Sequence, residues 1–282
     1  MLQDISPIKL DNHFRPDARP DDKSSIVYFS GNEILIKKGE GLNFPTFKQM
    51  GRPDGCVYLF TIGNTSCFLY DKESRPELPA SYVMMPVSQV RHEKNTYRAG
   101  CFALFTAWHL FRWYQTTRYC GACGHKLAHD SVERAMRCPD CGRIFYPRIN
   151  PAVIVGVIND GRLLLTRYAP SSGHRGINYY ALIAGFTEIG ETLEQTVERE
   201  VMEEVGLRVK NIRYYKSQPW GSAGDILAGF FCEVDGSADI RPDLNELSKA
   251  FFASPSDVVL QNDDFSLTNE MMLKFKQGQI KL

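Results

Sequence analysis

The chain has 282 residues, more than one hydrophobic core ordinarily needs, and its 43% hydrophobic and 23% charged residues suit a soluble globular protein of two or three domains. Lys plus Arg number 33 and Asp plus Glu number 33, so net charge steers the whole molecule neither to nucleic acid nor to an acidic membrane. No apolar run reaches the roughly 18 residues of a spanning helix, and the polar start MLQDISPIKLDNHFRPDARPDD lacks the apolar core of a secretory signal, which predicts a cytoplasmic protein with no membrane partner.

Residues 1–24 are polar and Pro-rich and read as an extended arm. Strand-like pieces follow (SIVYF, NEILIKK, GCVYLFTIG, TSCFLYD), with turn signals at Asn32 and Gly63-Asn64. Val83 to Val90 reads as another strand. Tyr97 to Gln115 is long, apolar and aromatic, and Ala99, Phe102, Phe105, Ala107 and Leu110 suit a buried helix. His109 within it has no second metal-type residue beside it and reads as a packed or surface histidine. This mixed α/β N-terminal domain, residues 1–117, carries no chemical motif of its own.

Eight cysteines are present. Cys56, Cys67, Cys101 and Cys232 sit in apolar surroundings and read as buried thiols. The other four form two pairs, Cys120-x-x-Cys123 and Cys138-x-x-Cys141, around a 14-residue spacer. Each turn presents two thiolates to one ion, and two turns complete a tetrahedron. All four positions are thiolate, so no coordination site stays open. Residues 118–147 therefore read as a ribbon around a structural zinc ion, with His125 and His129 not needed as ligands.

Beyond the ribbon, PAVIVGVI and RLLLTRY flank Asn159-Asp160-Gly161, a hairpin signal, and both strands are apolar enough to be covered on both faces. Ala169 to Asn178 reads as a flexible loop. Tyr179 to Ala184 returns as a strand, Val209 to Ser217 is another, and Asp225 to Val234 alternates with Ile226, Ala228, Phe230, Cys232 and Val234 on one face. Leu267 to Lys276 reads as a final helix. Strands, helix, strands, helix predict an α/β/α sandwich with a mixed sheet over residues 148–282.

The chemistry concentrates in Gly185 to Leu207, GFTEIGETLEQTVEREVMEEVGL. Leu193, Val197 and Val201 form the apolar stripe of a helix at roughly 100° per residue. Glu200, Glu203 and Glu204 are three and four residues apart, so one face carries all three. Glu200 and Glu204 fall at the edge of the packed face, where unpaired charge is costly and divalent cations are the natural partner. Gly185 and Gly190 allow tight turns ahead of the helix, Arg199 can pair with Glu203 at i+4, and Gly206 suits the left-handed residue that ends it.

Gly185, Glu191, Arg199-Glu200-Val201, Glu203-Glu204 and Gly206-Leu207 match every fixed position of the Nudix box, so the segment resembles the Nudix hydrolases, which split a nucleoside diphosphate linked to another moiety. The order of a β-rich N-terminal domain, four-Cys ribbon, Tyr146-Pro147-Arg148, box and Ser217-Gln218-Pro219-Trp220 resembles the NADH pyrophosphatase subfamily, whose members also remove NAD caps from RNA. The resemblance implies hydrolysis of NADH or NAD⁺ to nicotinamide mononucleotide and AMP, a homodimer, and a need for Mg²⁺ or Mn²⁺ held by the Ala184 carbonyl, Glu200, Glu203, Glu204 and the distal acid Glu246. The base is one of Glu203, Glu204 and Glu246. Tyr146 and Trp220 are candidates to stack on a nicotinamide or adenine ring, and Gln218, Pro219, Asp225 and Thr268 fall at substrate-contacting positions. One stretch departs from the pattern: after Trp220 the subfamily continues Pro-Phe-Pro-x-Ser, and this chain has Gly221-Ser222-Ala223-Gly224-Asp225. That departure leaves open another diphosphate, such as ADP-ribose, a dinucleoside polyphosphate or a coenzyme-like compound, as substrate. A catalytically silent nucleotide sensor or nucleic-acid-binding module is the non-enzymatic alternative.

Overall fold

The computed structural model describes residues 1–280 apart from 38–42, 73–75, 91–96, 171–178 and 263. The chain groups into two compact units: Leu2–Arg148 with Gly221–Gly224, and Met1 with Ile149–Trp220 and Asp225–Leu282.

In the first unit, Leu10–Asp11, Cys56–Ile62, Thr65–Tyr70 and Ser25–Val27 lie in that order in one sheet, and Phe29–Ser30, Glu33–Lys37 and Tyr82–Pro86 in another. Turns fall at the expected places, with Gly31 and Gly63 both in the left-handed region. The aromatic stretch is the helix Arg98–Thr116, and it buries one side by packing Trp108 and Phe111 against Phe29 at ring separations of 5.1 and 4.7 Å. Two expectations need correction. The strand predicted over Val83–Val90 ends at Pro86, which has no N–H to continue a ladder, and Val87–Val90 turns into a short helix. The N-terminal arm is not wholly free-running, because Leu2 is buried and Leu10–Asp11 pairs with Cys56–Ile62. Cys67, Cys101 and Cys232 are buried and Cys56 half-buried, as apolar thiols should be.

The second unit is built on strands β1 (Asn150–Asn159), β2 (Arg162–Tyr168), β3 (Ile183–Phe186), β4 (Val209–Trp220), β5 (Asp225–Val234) and β6 (Leu247–Ala253), with helices α1 (Leu193–Val205) and α2 (Leu267–Lys276). They form one six-stranded sheet in the order β4-β5-β1-β2-β6, with β3 also paired to β1. β1 and β5 run parallel and every other pair is antiparallel, so the sheet is mixed. Asp160 (φ 48°) and Gly161 (φ 71°) make the two-residue β1–β2 turn, whose positive φ values match the twist of the strands it joins. The predicted loop over 169–178 lies mostly outside the described residues.

Alternation within the strands sorts side chains to the two faces. Val153, Val155, Val157, Leu164 and Phe230 meet Val197, Val201 and Val205 of α1. Ile154, Leu163, Leu165 and Phe231 meet Leu267, Met271, Met272 and Phe275 of α2 on the other face. The result is an α/β/α sandwich. A 13-residue helix is marginal alone in water. Full burial of three valines, worth about 2 kcal/mol each, decides that α1 stays formed and in register on the sheet.

Candidate active site and metal centre

Local rules set the start and end of α1. Thr192 caps its start in a reciprocal box: the Gln195 N–H donates to Thr192 Oγ1 at 3.2 Å, and the Thr192 N–H donates to Gln195 Oε1 at 2.9 Å. Gly206, at φ 69°, ends the helix with its N–H donating to the Met202 carbonyl. Gly190, at φ 98°, supplies the turn before it. Gly185 does not turn the chain. It lies inside β3, and a Cβ built there would fall 1.9 Å from the Glu200 carboxyl carbon. Its missing side chain is what lets the Glu200 carboxylate rest against the strand.

The three glutamates of α1 divide. Glu200 and Glu204 are 9% and 4% exposed, while the Glu203 side chain is 59% exposed. Arg199 ties the group together. Its Nε and Nη2 hold Glu191 at 2.6 and 3.0 Å, its Nη1 donates to Glu200 at 2.7 Å and to Glu203 at 2.9 Å, and Nη2 also donates to the Phe186 carbonyl at 2.8 Å. The expected Arg199–Glu203 pair is thus one arm of a larger fork. The Arg199 bond, helped by the Glu188 N–H and the Thr196 hydroxyl, holds the Glu191 carboxyl down at about 2.

Burial pushes the Glu204 carboxyl up to about 8, and the charges of Glu200, Glu246 and Asp243 push the same way. The Ala184 N–H, donating to Glu204 Oε1 at 3.4 Å, opposes them. Burial also raises Glu200, against the pull of Arg199. Buried carboxylates that repel one another, with one Arg199 shared among Glu191, Glu200 and Glu203, would suit a hard divalent cation such as Mg²⁺ or Mn²⁺. Glu246 lies exposed in the turn before β6, with its carbonyl accepting from the Ala169 N–H at 2.7 Å, and its charge is felt at both Glu200 and Glu204. Ala184 touches Glu204, and the charge of Glu246 reaches Glu200 and Glu204 from the turn ahead of β6, but among the described residues the side-chain groups at metal-ligand spacing all lie in the ribbon, so the glutamates are not drawn in around one point.

The other candidates lie elsewhere or are already engaged. Gln218 is fully buried; its Nε2 donates to the Phe265 carbonyl and its Oε1 accepts from the Leu267 N–H, both at 2.7 Å, so its amide ties β4 to the start of α2. Pro219 is exposed, Trp220 half-buried and Thr268 half-buried in the first turn of α2. Asp225 is buried and accepts from Asn150 Nδ2 at 3.3 Å. Tyr146 belongs to the first unit; its ring is exposed and its hydroxyl donates to Glu133 at 2.6 Å. Neither Tyr146 nor Trp220 is a buried core aromatic. Sequence reasoning passed over Tyr168 at the end of β2. Burial, together with the charge of Glu204 and Glu246, holds its phenol well above the ordinary tyrosine range. The only signal for it was an aromatic closing the apolar run RLLLTRY.

In the ribbon, Ala128–His129, Met136–Arg137 and Ile144–Phe145 form a three-stranded sheet. Two matching turns carry the cysteines. The Cys120 N–H donates to the His125 carbonyl and the Cys138 N–H to the Arg143 carbonyl, both at 2.8 Å, while Gly124 and Gly142 each take φ 75°. The sulfur separations are 3.6 Å for Cys120–Cys141, 3.4 Å for Cys123–Cys138 and 3.6 Å for Cys123–Cys141. Four thiolates at zinc–sulfur distance around one ion stand about 3.8 Å apart, so the cluster has the size of a closed zinc site. No histidine belongs to that four-sulfur group.

The family pattern described as NUDIX domain matches residues 148–274, and the one described as NADH pyrophosphatase zinc ribbon domain matches residues 115–146. A protein named NAD-capped RNA hydrolase NudC from Shigella flexneri is 44% identical over 141 residues, which cover 50% of this chain and 53% of that one. Its namesake from Escherichia coli is 43% identical over the same shares. The chain thus spans about half the length of the curated relatives it matches. Among solved structures, a NUDIX hydrolase from Nitrosomonas europaea superposes with a TM-score of 0.48 at 21% identity, over 57% of this chain and 91% of that one. With the box helix on its sandwich and the four-sulfur ribbon ahead of it, the chain is a NUDIX-domain protein that carries an NADH pyrophosphatase zinc ribbon domain.

Proposed function

We propose that the protein is a hydrolase that cleaves the diphosphate of NADH or NAD⁺, giving nicotinamide mononucleotide and AMP, and cuts the same bond in NAD-capped RNA. The observation that carries this reading is the buried, mutually repelling pair Glu200 and Glu204 beside Glu246. The ribbon and the two relatives named NAD-capped RNA hydrolase NudC support the choice of substrate. In this reading the chain has three parts, residues 1–117, 118–147 and 148–282. It works in the cytoplasm and, as the resemblance implies, as a homodimer, and Cys120, Cys123, Cys138 and Cys141 hold structural zinc.

The Ala184 carbonyl, Glu200, Glu203 and Glu204 would hold Mg²⁺ or Mn²⁺, with Glu246 reaching in from the opposite turn. When bound, such ions neutralise the diphosphate and lower the pKa of a coordinated water. The protein's own part is positional. Arg199 fixes the direction of Glu200 and Glu203, and Gly185 leaves the room that Glu200 occupies. One of Glu203, Glu204 and Glu246 takes the proton of the attacking water. Tyr146 and Trp220 offer rings to a base, while Pro219, Asp225, Thr268 and the Gln218-tethered segment shape the surroundings.

Incubation of the purified protein with NADH, NAD⁺ and NAD-capped RNA, each with Mg²⁺ or Mn²⁺, should release AMP or a 5′-monophosphate RNA end. Turnover of ADP-ribose or a dinucleoside polyphosphate without cleavage of any NAD compound would replace the substrate but keep the chemistry. The Gly221–Gly224 departure favours that second reading. Nucleotide binding with no turnover of any diphosphate would make the protein a sensor.

A further inference from the structure

The first unit holds a cavity of about 510 Å³ that shares no residue with the carboxylate cluster. One wall is the helix Arg98–Thr116, through Phe105, Trp108, His109 and Arg112; another is the segment Gly221–Gly224. That segment is shaped for the place. A Cβ on Gly221 would fall 2.2 Å from the Phe105 carbonyl oxygen, so only glycine lets the backbone lie on the helix. Gly224 takes φ 88°, and Ser222 and Ala223 between them are small and exposed. Short side chains keep the cavity open where larger ones would fill it.

Among the described residues the lining carries Arg112 and several polar side chains and no carboxylate. The Arg112 guanidinium lies 5.6 Å from the Trp108 ring and has no carboxylate partner among the described residues. His109 donates its Nε2 hydrogen to the Arg148 carbonyl at 2.8 Å, which pins the ring in the wall and, in the neutral imidazole, leaves Nδ1 an acceptor, so the anion-binding donor of the lining is Arg112. Ser88 and Asn32 add polar groups at the rim. Phe105, Trp108, Pro86 and Val87 supply the apolar side. A guanidinium that meets no acid among the described residues, beside an aromatic wall, selects a planar ring that carries an anion. We propose that this cavity binds a nucleoside monophosphate, with the phosphate on Arg112 and the ring system against the Phe105–Trp108 wall.

The test uses the full-length zinc-loaded protein carrying Glu200→Gln and Glu204→Gln, with no added Mg²⁺ or Mn²⁺, so that the carboxylate cluster neither turns over nor draws in nucleotide through a cation. Calorimetric titration with AMP should show one site per chain. Arg112→Gln, at an exposed position, should weaken AMP by roughly 10-fold or more, as loss of a charge-assisted bond does. Ala223→Phe, which fills the cavity from an exposed loop, should abolish binding; circular dichroism and zinc content would verify that both variants fold. Adenosine alone and inorganic phosphate alone should each bind at least 10-fold more weakly than AMP. The proposal is overturned if millimolar AMP does not bind, if AMP binds both variants as it binds the parent, or if phosphate binds as tightly as AMP. Because the parent is already inactive, these outcomes do not depend on which diphosphate the enzyme cleaves.

Discussion

Glu204→Gln should make the cation-free protein more stable at pH 8 while removing its activity. In the folded chain burial raises the Glu204 carboxyl to about 8, against an unperturbed 4.5. Between those values the folded protein binds a proton that the unfolded chain has released, so this group's contribution falls as pH rises through the window. Above about 8 the whole penalty of a buried charge is present. A shift of this size corresponds to at most about 5 kcal/mol, and local water entry lowers it, so a gain of about 2 kcal/mol for the variant at pH 8 is expected. At pH 4.5 and below the two proteins should be alike. Glutamine keeps an oxygen to accept from the Ala184 N–H, so the change isolates the charge. Bound Mn²⁺ reverses the order: at 100 times its Kd it stabilises the wild type by about 2.7 kcal/mol, and the variant has lost a ligand. The assay is urea unfolding at pH 5 and pH 8, with and without Mn²⁺, on protein whose ribbon zinc is verified by elemental analysis. Hydrogen exchange along α1 would assign the transition to the second unit. Equal stabilities at pH 8 without Mn²⁺, or equal stabilisation of both proteins by Mn²⁺, would refute the reasoning.

Gly185→Ala should fold with reduced stability and lose most of its turnover, because the added methyl takes the place of the Glu200 carboxylate; a crystal structure would show Glu200 displaced, and an undisplaced active variant would remove the packing argument. Arg199→Lys keeps the charge but not the fork that reaches Glu191, Glu200, Glu203 and the Phe186 carbonyl, so kcat should drop by roughly 10-fold or more with little change in thermal stability of the ribbon. Cys120→Ser should release zinc and lower the melting temperature of the first unit, whereas the exchange protection of α1 should persist; unchanged zinc content would count against a four-sulfur site.

The elements with periodic or punctuated sequence were legible before any coordinates. The β1–β2 turn at Asn159-Asp160-Gly161, the span of β5 and the span of α2 follow from local preference and alternation, and the fold obeys them. The boundary at Pro86 was marked in the letters, because Pro86 cannot continue a ladder and Ser88-Gln89 interrupts the apolar run, and reading Val83–Val90 as one strand passes over both signals. Glycine most often signals a turn, but Gly185 is glycine because of a neighbour 15 residues away in the chain, Glu200. The Thr192-x-x-Gln195 capping box is a local signal, written in four consecutive residues, and it sets the start of α1.

The one-dimensional pattern sufficed to bring the four cysteines together and to put Glu200, Glu203 and Glu204 on one helix, since both depend only on which side chains share a turn or a helix. It could not say that Glu203 faces outward on Arg199 while Glu200 and Glu204 go under, nor that Glu204 is thereby pushed toward neutral pH. Those properties come from burial and from charges on β3, the turn before β6 and α1 at once, and only packing of distant segments sets them. The cavity beside Gly221–Gly224 is of the same kind, because a run of small residues acquires meaning only when a helix more than 100 residues earlier lies against it.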